Sequence, residues 1–400
     1  MRFRFVLDEP QVDDAARVAV HSRLVIGRFA CRRRAEDPRV VLVAESGDSV
    51  EFAVEEIDAE SSDFLEGGRN WSTWRFSGLV RTGAAWNRSP VRIRFEYGLE
   101  VEQVDIPWRT FTDEEMRRFI ATKDALIRRV RPLLRCCRIH NGHSPCGAVF
   151  EGLVELTCSG CGARAEIVDG CITFGTQAEQ ARNVFHGRND LPGSFFGDPR
   201  TINEVSRLRD GMVLDVGSGW RYHYEPNVVH FDTIRFPTTD VLADGGVLPF
   251  ADESFDAVFS FSVLEHVKDP ARVVSEMKRV VKRGGVIQIS APHLIQYHGH
   301  PDHYFNPTFR GLRHLLGDGV DIEIDETPVW GHPVWGLVEI LRDWLAALPP
   351  EAAREFANAT VAELTSPATS LFERRFVREL DLAKARGIAT NNFIVARRTY

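Results

Sequence analysis

The stretch Met212-Val213-Leu214-Asp215-Val216-Gly217-Ser218-Gly219 reads as an apolar strand that runs straight into a glycine-rich turn. Gly217 and Gly219 remove side chains where the backbone must approach a ligand closely, and such a turn delivers the chain to the carboxyl edge of a sheet. Alone, a GxG after a strand is shared by several nucleotide-binding folds and by plain tight turns. The neighbouring sequence narrows it. Val228-Val229-His230-Phe231-Asp232 is a second apolar strand that ends in an acid seventeen positions after Asp215. A carboxylate there can accept both hydroxyls of a ribose. Asp244-Gly245-Gly246-Val247-Leu248-Pro249-Phe250 then offers an acceptor for an adenine amino group beside side chains able to flank the ring. Two spaced acids and a glycine turn fit an adenosine moiety.

Outward from this turn, residues 212–216, 227–232, 256–261 and 286–290 form largely apolar runs of strand length, with helical stretches such as 270–283 between them. Strands buried on both faces and alternating with helices define an α/β, doubly wound Rossmann-like sheet. Beyond the strand at 285–290, residues 291–305 hold four of the thirteen histidines. His293 and His298 are candidate bases, and Tyr297 and Tyr304 can stack on an acceptor. Metal binding by this loop and a purely structural role are the rival readings.

Residues 211–316 resemble the class I S-adenosylmethionine-dependent methyltransferases, specifically the type 11 methyltransferase domain family. The resemblance is carried by VLDVGSG, by Asp244 with LPF and SFDAV, by Ser262-Val263-Leu264-Glu265-His266-Val267, by Asp269-Pro270, by Glu276-Met277-Lys278-Arg279-Val280 and by Lys282-Arg283-Gly284-Gly285. It implies S-adenosylmethionine as cofactor, with Asp215, Gly217 and Gly219 at its methionine end, Asp232 at the ribose, and Asp244 with Val247 or Leu248 at the adenine. It also implies that His266 lies on the substrate side. The sequence departs from the family at Arg221, which stands where many relatives carry a third glycine. That departure motivates the competing expectation of a noncatalytic scaffold built on a degenerate methyltransferase domain.

Six of the seven cysteines fall between positions 136 and 171. Cys158-Ser159-Gly160-Cys161 is half of a metal knuckle, because two sulfurs three positions apart on a glycine turn can face one ion. For the other half, Cys137 and His140 are the first choice, with Cys136, His143 and Cys146 competing. A metal-free segment with buried thiols is the alternative. The segment from Leu133 to Cys171 resembles the small zinc-ribbon module fused to or partnered with many methyltransferases, which implies a structural zinc.

Residues 2–7, 23–29, 39–44, 50–57, 73–80, 91–97 and 99–106 alternate or are β-rich and are separated by turn signals, predicting an all-β, sandwich-like domain. A helix follows, opened by Thr112-Asp113-Glu114-Glu115 and closed by Pro132, with Met116, Phe119, Ile120, Ile127 and Val130 as its apolar stripe. The expected organisation is a β domain over 1–110, a linker helix over 111–131, a zinc-ribbon-like module over 132–178, and a methyltransferase domain over 179–400 with a helical cap at 328–389. A strand is expected at Asn392–Arg397.

The chain has 400 residues, 44% of them hydrophobic, with 57 acidic against 49 basic residues and a formal charge of -8. That sign argues against a protein that grips nucleic acid through its phosphates. No run approaches the length of a membrane span, and the N-terminus lacks the apolar core of a secretion signal, so a cytoplasmic protein is expected. The expected reaction is methyl transfer to an oxygen or nitrogen nucleophile. The fused β domain favours a sizeable acceptor, a glycan or glycan-lipid precursor, over a small metabolite.

Overall fold

The computed structural model describes residues 3–390 except positions 10–21, 32–37, 45–48, 58–71, 82–90, 98–99, 107–112, 141–143, 169, 175–197, 220, 222–223, 237, 299–301 and 329–330. By compactness the chain divides into two units, residues 1–261 with 275–289 and residues 262–274 with 290–400.

In the first unit, seven strands open the chain: β1 (Phe3–Glu9), β2 (Ser22–Cys31), β3 (Arg39–Ala44), β4 (Ser49–Ile57), β5 (Ser72–Arg81), β6 (Val91–Tyr97) and β7 (Glu100–Ile106). All pair antiparallel, in the order β1-β2-β5-β4-β3-β6-β7. The seven expected strands are therefore hydrogen-bonded in one continuous order. β4 makes it continuous: Ser49 to Phe52 pair with β3, whereas Ala53 to Ile57 pair with β5. In β6, Ile93 and Phe95 are buried at alternate positions, the period-2 pattern of a strand with one face inward, whereas Val40, Val41 and Leu42 of β3 are all buried.

Helix α1 (Asp113–Val130) follows. Its buried stripe is Phe119, Lys123, Leu126, Ile127 and Val130, spaced three and four apart, while the expected Ile120 is 44% exposed. A lysine thus occupies a core position, and the expected cap Thr112 lies outside the described residues. Pro132 sits just beyond the end of α1 in the turn Arg131–Leu133, because proline has no amide hydrogen to continue a helix.

The cysteine segment contributes β8 (Ile139–His140), β9 (Ser144–Pro145), β10 (Phe150–Glu151), β11 (Glu155–Cys158), β12 (Arg164–Val168) and β13 (Cys171–Phe174). Beyond it come β14 (Val213–Val216), β15 (Val228–Asp232), β16 (Val241–Leu242), β17 (Phe255–Phe261) and β18 (Val281–Ser290). Apart from the small hairpin β8–β9, these strands form one sheet in the order β10-β11-β12-β13-β16-β15-β14-β17-β18. This corrects the expected border at 178, because β13 pairs parallel with β16, Ile172 with Val241 and Thr173 with Leu242. The cysteine segment is an extension of the doubly wound sheet. A second seam runs through Leu134 and Phe250, where Arg135 N donates to Pro249 O at 3.0 Å and Ala251 N to Leu133 O at 2.8 Å.

β14 pairs parallel with β15 on one side and with β17 on the other. Strand order reverses there, which opens a crevice beyond its carboxyl end. Val205, Val213, Val228, Ala257 and Phe259 form a core beneath it, with the helix Pro199–Arg207 as one wall. The helix expected over 270–283 stops at Val280 and β18 begins at Val281. Glu253 N and Ser254 N take the carbonyls of Arg279 and Val280 at 2.9 and 2.8 Å, pulling that backbone into the sheet.

In the second unit, helices Phe309–Leu316, Val334–Ala346 and Pro350–Ala357 are followed by shorter turns to Ile388. Phe356 packs between Trp344 and Phe376, with ring centroids 5.6 and 5.3 Å away. The strand expected at Asn392–Arg397 lies outside the described residues. Among the described residues no helix is long and apolar enough to cross a membrane.

Candidate active site and cysteine centre

Gly217 and Gly219 have φ of 69° and 58°, the left-handed region that glycine enters without a Cβ clash. The turn is clamped to β15. Gly217 N and Ser218 N both donate to Phe231 O, at 2.9 and 3.0 Å, and Gly219 N donates to Asp232 Oδ2 at 2.7 Å. Asp232 Oδ1 accepts from Ile234 N at 2.8 Å. Burial pushes the Asp232 carboxyl up to about 6 against the pull of these amides, and the Asp215 charge adds to the rise. Each of its oxygens keeps a second lone pair, so the group can still accept a diol.

Asp244 stands on an exposed turn, where its Oδ1 accepts from Gly246 N at 2.7 Å. Val247 is half-buried and Leu248 fully buried. The pinning of this loop was not legible as such in the sequence: Glu276 Oε2 accepts from Leu248 N at 2.8 Å, and Arg279 donates to Leu248 O at 3.0 Å and Phe250 O at 2.7 Å. Both residues lie in a motif that the resemblance contained without a role for them.

Asp215 is held by partners within the protein. Its carboxylate is fully buried and holds Arg221, Nε to Oδ2 at 3.0 Å and Nη2 to Oδ1 at 3.1 Å, while His230 Nδ1 lies 3.2 Å from Oδ2. Burial alone would raise its pKa; the guanidinium and His230 outweigh that and hold it below the usual carboxylate value. Arg221 is itself 3% exposed. The residue in place of the third glycine therefore folds inward and occupies the acid expected to face the methionine end. The network extends further: Tyr224 Oη donates to Asp240 Oδ1 at 2.6 Å, His230 N donates to Asp240 Oδ2 at 2.9 Å, and Lys123 Nζ lies 2.7 Å from Thr239 O and 3.6 Å from Asp240 Oδ1.

The second unit carries the histidines. Ser262, its first residue, has φ of 53°, a costly conformation outside glycine; it turns the chain into Leu264–His266. Glu265 is 0% exposed, and burial pushes its carboxyl up to about 7. Its backbone oxygen accepts from Tyr304 N at 2.7 Å and Phe305 N at 3.3 Å, which ties the histidine loop beside it. The rings of His266 and His298 lie 5.1 Å apart, and His298 and His303 4.4 Å apart. His293 is exposed and outside this cluster. His300 lies outside the described residues.

Four sulfurs converge in the cysteine segment. Cys136, Cys146, Cys158 and Cys161 bring their Sγ atoms within 4.8 Å of one another, with Cys136–Cys161 at 3.6 Å and Cys146–Cys158 at 3.7 Å. Four sulfurs each about 2.3 Å from a tetrahedral ion stand about 3.8 Å apart, so the spacing is that of a closed zinc site. Cys158 and Cys161 of the expected set are present; Cys137 is replaced by Cys136, and the side chain of His140 lies outside the described residues. The reason is the pleat. Cys136 N donates to Ala148 O and Gly147 N to Cys136 O, both at 2.9 Å, so Cys136 faces the knuckle and its neighbour Cys137 faces away. Cys137 is half-buried there, where burial and then the charges of Asp244 and Glu276 raise its pKa. The hairpin β8–β9 brings Cys146 back to Cys136, a pairing that a search for CxxC spacing misses.

A family described as a methyltransferase domain matches residues 215–289. An "Uncharacterized methyltransferase" of Mycobacterium tuberculosis is 30% identical, over 39% of this chain and 76% of its own length. A Mycolicibacterium smegmatis protein named "Probable S-adenosylmethionine-dependent methyltransferase" is 38% identical, over 26% of this chain and 38% of its own length. Among solved structures, the [4+2]-cyclase SpnF matches at 17% identity with a TM-score of 0.23, covering 32% of this chain and 59% of its own. The chain belongs to the class I S-adenosylmethionine-dependent methyltransferases of the type 11 family. It is an enzyme that uses S-adenosylmethionine, and the clamped turn with its buried Asp232 fits the nucleoside of that cofactor.

Proposed function

We propose that the protein methylates an oxygen or nitrogen nucleophile of a glycan or glycan-lipid precursor, using the turn at Gly217–Gly219 and Asp232 to hold the cofactor. The observation that carries the cofactor half is the buried carboxylate clamped to bare glycine backbone by a 2.7 Å hydrogen bond. When bound, S-adenosylmethionine supplies the electrophilic methyl on a sulfonium leaving group. Asp232 accepts the ribose hydroxyls, Asp244 the adenine amino group, and Val247 with Leu248 flank the ring. Gly217 and Gly219 admit the methionine end to the backbone, while Asp215 acts through Arg221 to hold the turn's shape. No covalent residue is needed, because such a displacement depends on alignment and exclusion of water.

His266 and His298 serve the acceptor. Each engages a backbone carbonyl through Nδ1, His266 with Asp302 O at 2.7 Å and His298 with Gln296 O at 3.0 Å, which leaves Nε2 as the lone pair. His293 has the weaker claim, being exposed. The N-terminal sheet supports a large acceptor, since a seven-stranded module is superfluous for a small one.

Calorimetry with S-adenosylhomocysteine tests the cofactor site. Asp232→Ala is expected to weaken binding by about 30-fold, near 2 kcal/mol, the scale of hydrogen bonds to a charged group. Protonation should act in the same direction. The carboxyl is raised to about 6 in the free protein, so affinity is full at pH 7.5 and falls towards tenfold per pH unit below 6; Asp232→Ala should flatten that fall. Unchanged affinity in Asp232→Ala would end the assignment. For the acceptor, methyl-labelled cofactor should label glycan and glycan-lipid fractions, and removing residues 1–108 should abolish labelling while sparing S-adenosylhomocysteine binding. Label found only in small metabolites or RNA overturns the acceptor class.

The four thiolates hold a structural zinc. Protein purified in reductant should contain one zinc per chain. Gly160→Ala should lower that content, because an added Cβ would lie 2.8 Å from Ala148 Cβ and 3.0 Å from Cys146 Sγ. Folded wild-type protein with less than about a tenth of an equivalent would show that the sulfurs pack without metal.

A further inference from the structure

We propose that Glu265, His266 and His298 form a second metal site, for a first-row divalent cation, separate from the cysteine centre. One carboxylate oxygen and two imidazole nitrogens from these residues lie within 4.8 Å of one another. Two ligands each about 2.1 Å from an ion stand at most about 4.2 Å apart, so the groups close on a cation by shifts of about half an ångström. His266 Nε2 and Glu265 Oε1, at 3.8 Å, already stand within that span.

Glu265 supplies the independent observation. Its side chain is 0% exposed, and among the described residues neither carboxylate oxygen has a hydrogen-bond partner. A buried carboxyl without donors is costly and rare, and a cation is one of the few groups that satisfies both oxygens at once. The backbone around it is held, not loose, since Glu265 O accepts two amides from the loop that carries the histidines.

The histidines are pre-set as ligands. His266 and His298 place Nδ1 on the carbonyls of Asp302 and Gln296. A hydrogen bond from one ring nitrogen to a backbone carbonyl fixes the tautomer and leaves on Nε2 the lone pair that binds a metal. His303 is excluded as a ligand: its Nδ1 accepts from His298 N at 3.3 Å, and its Nε2 faces Asn306 Oδ1 and Phe305 O, the latter at 3.2 Å. Both of its nitrogens are engaged, and its ring packs against His298 as a support.

Two imidazoles and one carboxylate suit manganese, iron, cobalt or zinc, and leave coordination positions for water or for oxygen atoms of an acceptor. A cation there would bind an acceptor hydroxyl and lower its pKa, replacing a histidine base. The site follows from residues 262–306 alone and stands whether or not the glycan acceptor holds.

The test is Mn²⁺ titration of the full-length protein after mild chelation, followed by the electron paramagnetic resonance signal of free Mn²⁺. Manganese favours oxygen and nitrogen donors over thiolates, so it reports this site and not the cysteines. Wild type should take up one Mn²⁺ per chain. Glu265→Gln and His298→Ala should each weaken uptake by at least about tenfold, with S-adenosylhomocysteine affinity and the zinc equivalent of the cysteine centre retained as evidence of folding. If the site is filled on purification, metal analysis should show two equivalents in wild type and one in Glu265→Gln. Folded wild type that takes up no Mn²⁺ and carries only one metal overturns the site, as does equal uptake by Glu265→Gln. Failure here with intact S-adenosylhomocysteine binding leaves the methyltransferase assignment standing.

Discussion

Replacing Arg221 with methionine is expected to destabilise the first unit by about 3–5 kcal/mol, the cost of leaving one partner of a buried ion pair uncompensated. Asp215 is 0% exposed and Arg221 3%, so solvent screens neither. Without the guanidinium, the carboxylate still faces His230 Nδ1, 3.2 Å from Oδ2. Thermal or urea unfolding at pH 7.5 reads the loss, and pH gives it a signature. In the wild type the Asp215 pKa is lowered; its stabilising contribution is present above the unfolded value near 3.8 and is lost as pH falls through the folded value. In Arg221→Met, burial dominates and raises the pKa, so the destabilisation is full at neutral pH and shrinks towards pH 4. The added substitution Asp215→Asn should restore part of the stability. A variant within about 0.5 kcal/mol of wild type would show that the pair is decorative.

Lys123→Met is expected to cost about 3 kcal/mol by the same physics, and its effect should spread across three segments. The methylene stem lies against Gly170, where an added Cβ would approach within 3.1 Å, and the ammonium sits about 6 Å from the ring centroids of Phe119 and Tyr224. Methionine retains most of that packing and removes only the charge and its donors. Thr239 O then loses its 2.7 Å donor, and Asp240, also 0% exposed, loses its cation while keeping Tyr224 and the His230 amide. Asp240 also holds the edge of the cysteine segment, since Ile172 N donates to Asp240 O at 2.8 Å. Hydrogen exchange should therefore accelerate together in α1, β13 and β16. Acceleration confined to α1 would mean the lysine serves only its helix.

The two variants separate what was readable from what was hidden. The strands β14, β15 and β17 were legible because burial on both faces leaves an uninterrupted apolar run, and the turn because glycine alone takes positive φ there cheaply. The two-residue β16 was not, since so short a strand has no periodicity to detect. Lys123 was invisible for a different reason: a lysine inside an apolar helical stripe reads as a break in the stripe until its partner, 117 residues away at Asp240, is in view.

The amino-acid order alone determined the methyltransferase class, the strand and glycine turn at 213–219 with the strand that ends in Asp232, the presence of a thiol-rich segment and the seven N-terminal strands. Each depends on contacts between residues near in sequence or on a period that repeats every two or four residues. Only the tertiary structure decided that Arg221 turns inward on Asp215, that Cys136 and Cys146 join the knuckle instead of Cys137, that the cysteine segment extends the parallel sheet, and that Glu265 meets two histidines. Those outcomes depend on which face of a strand points inward and on which distant carboxylate shares a dry interior with a cation. Side-chain direction and burial are set by the packing of the whole fold, and no local pattern encodes them.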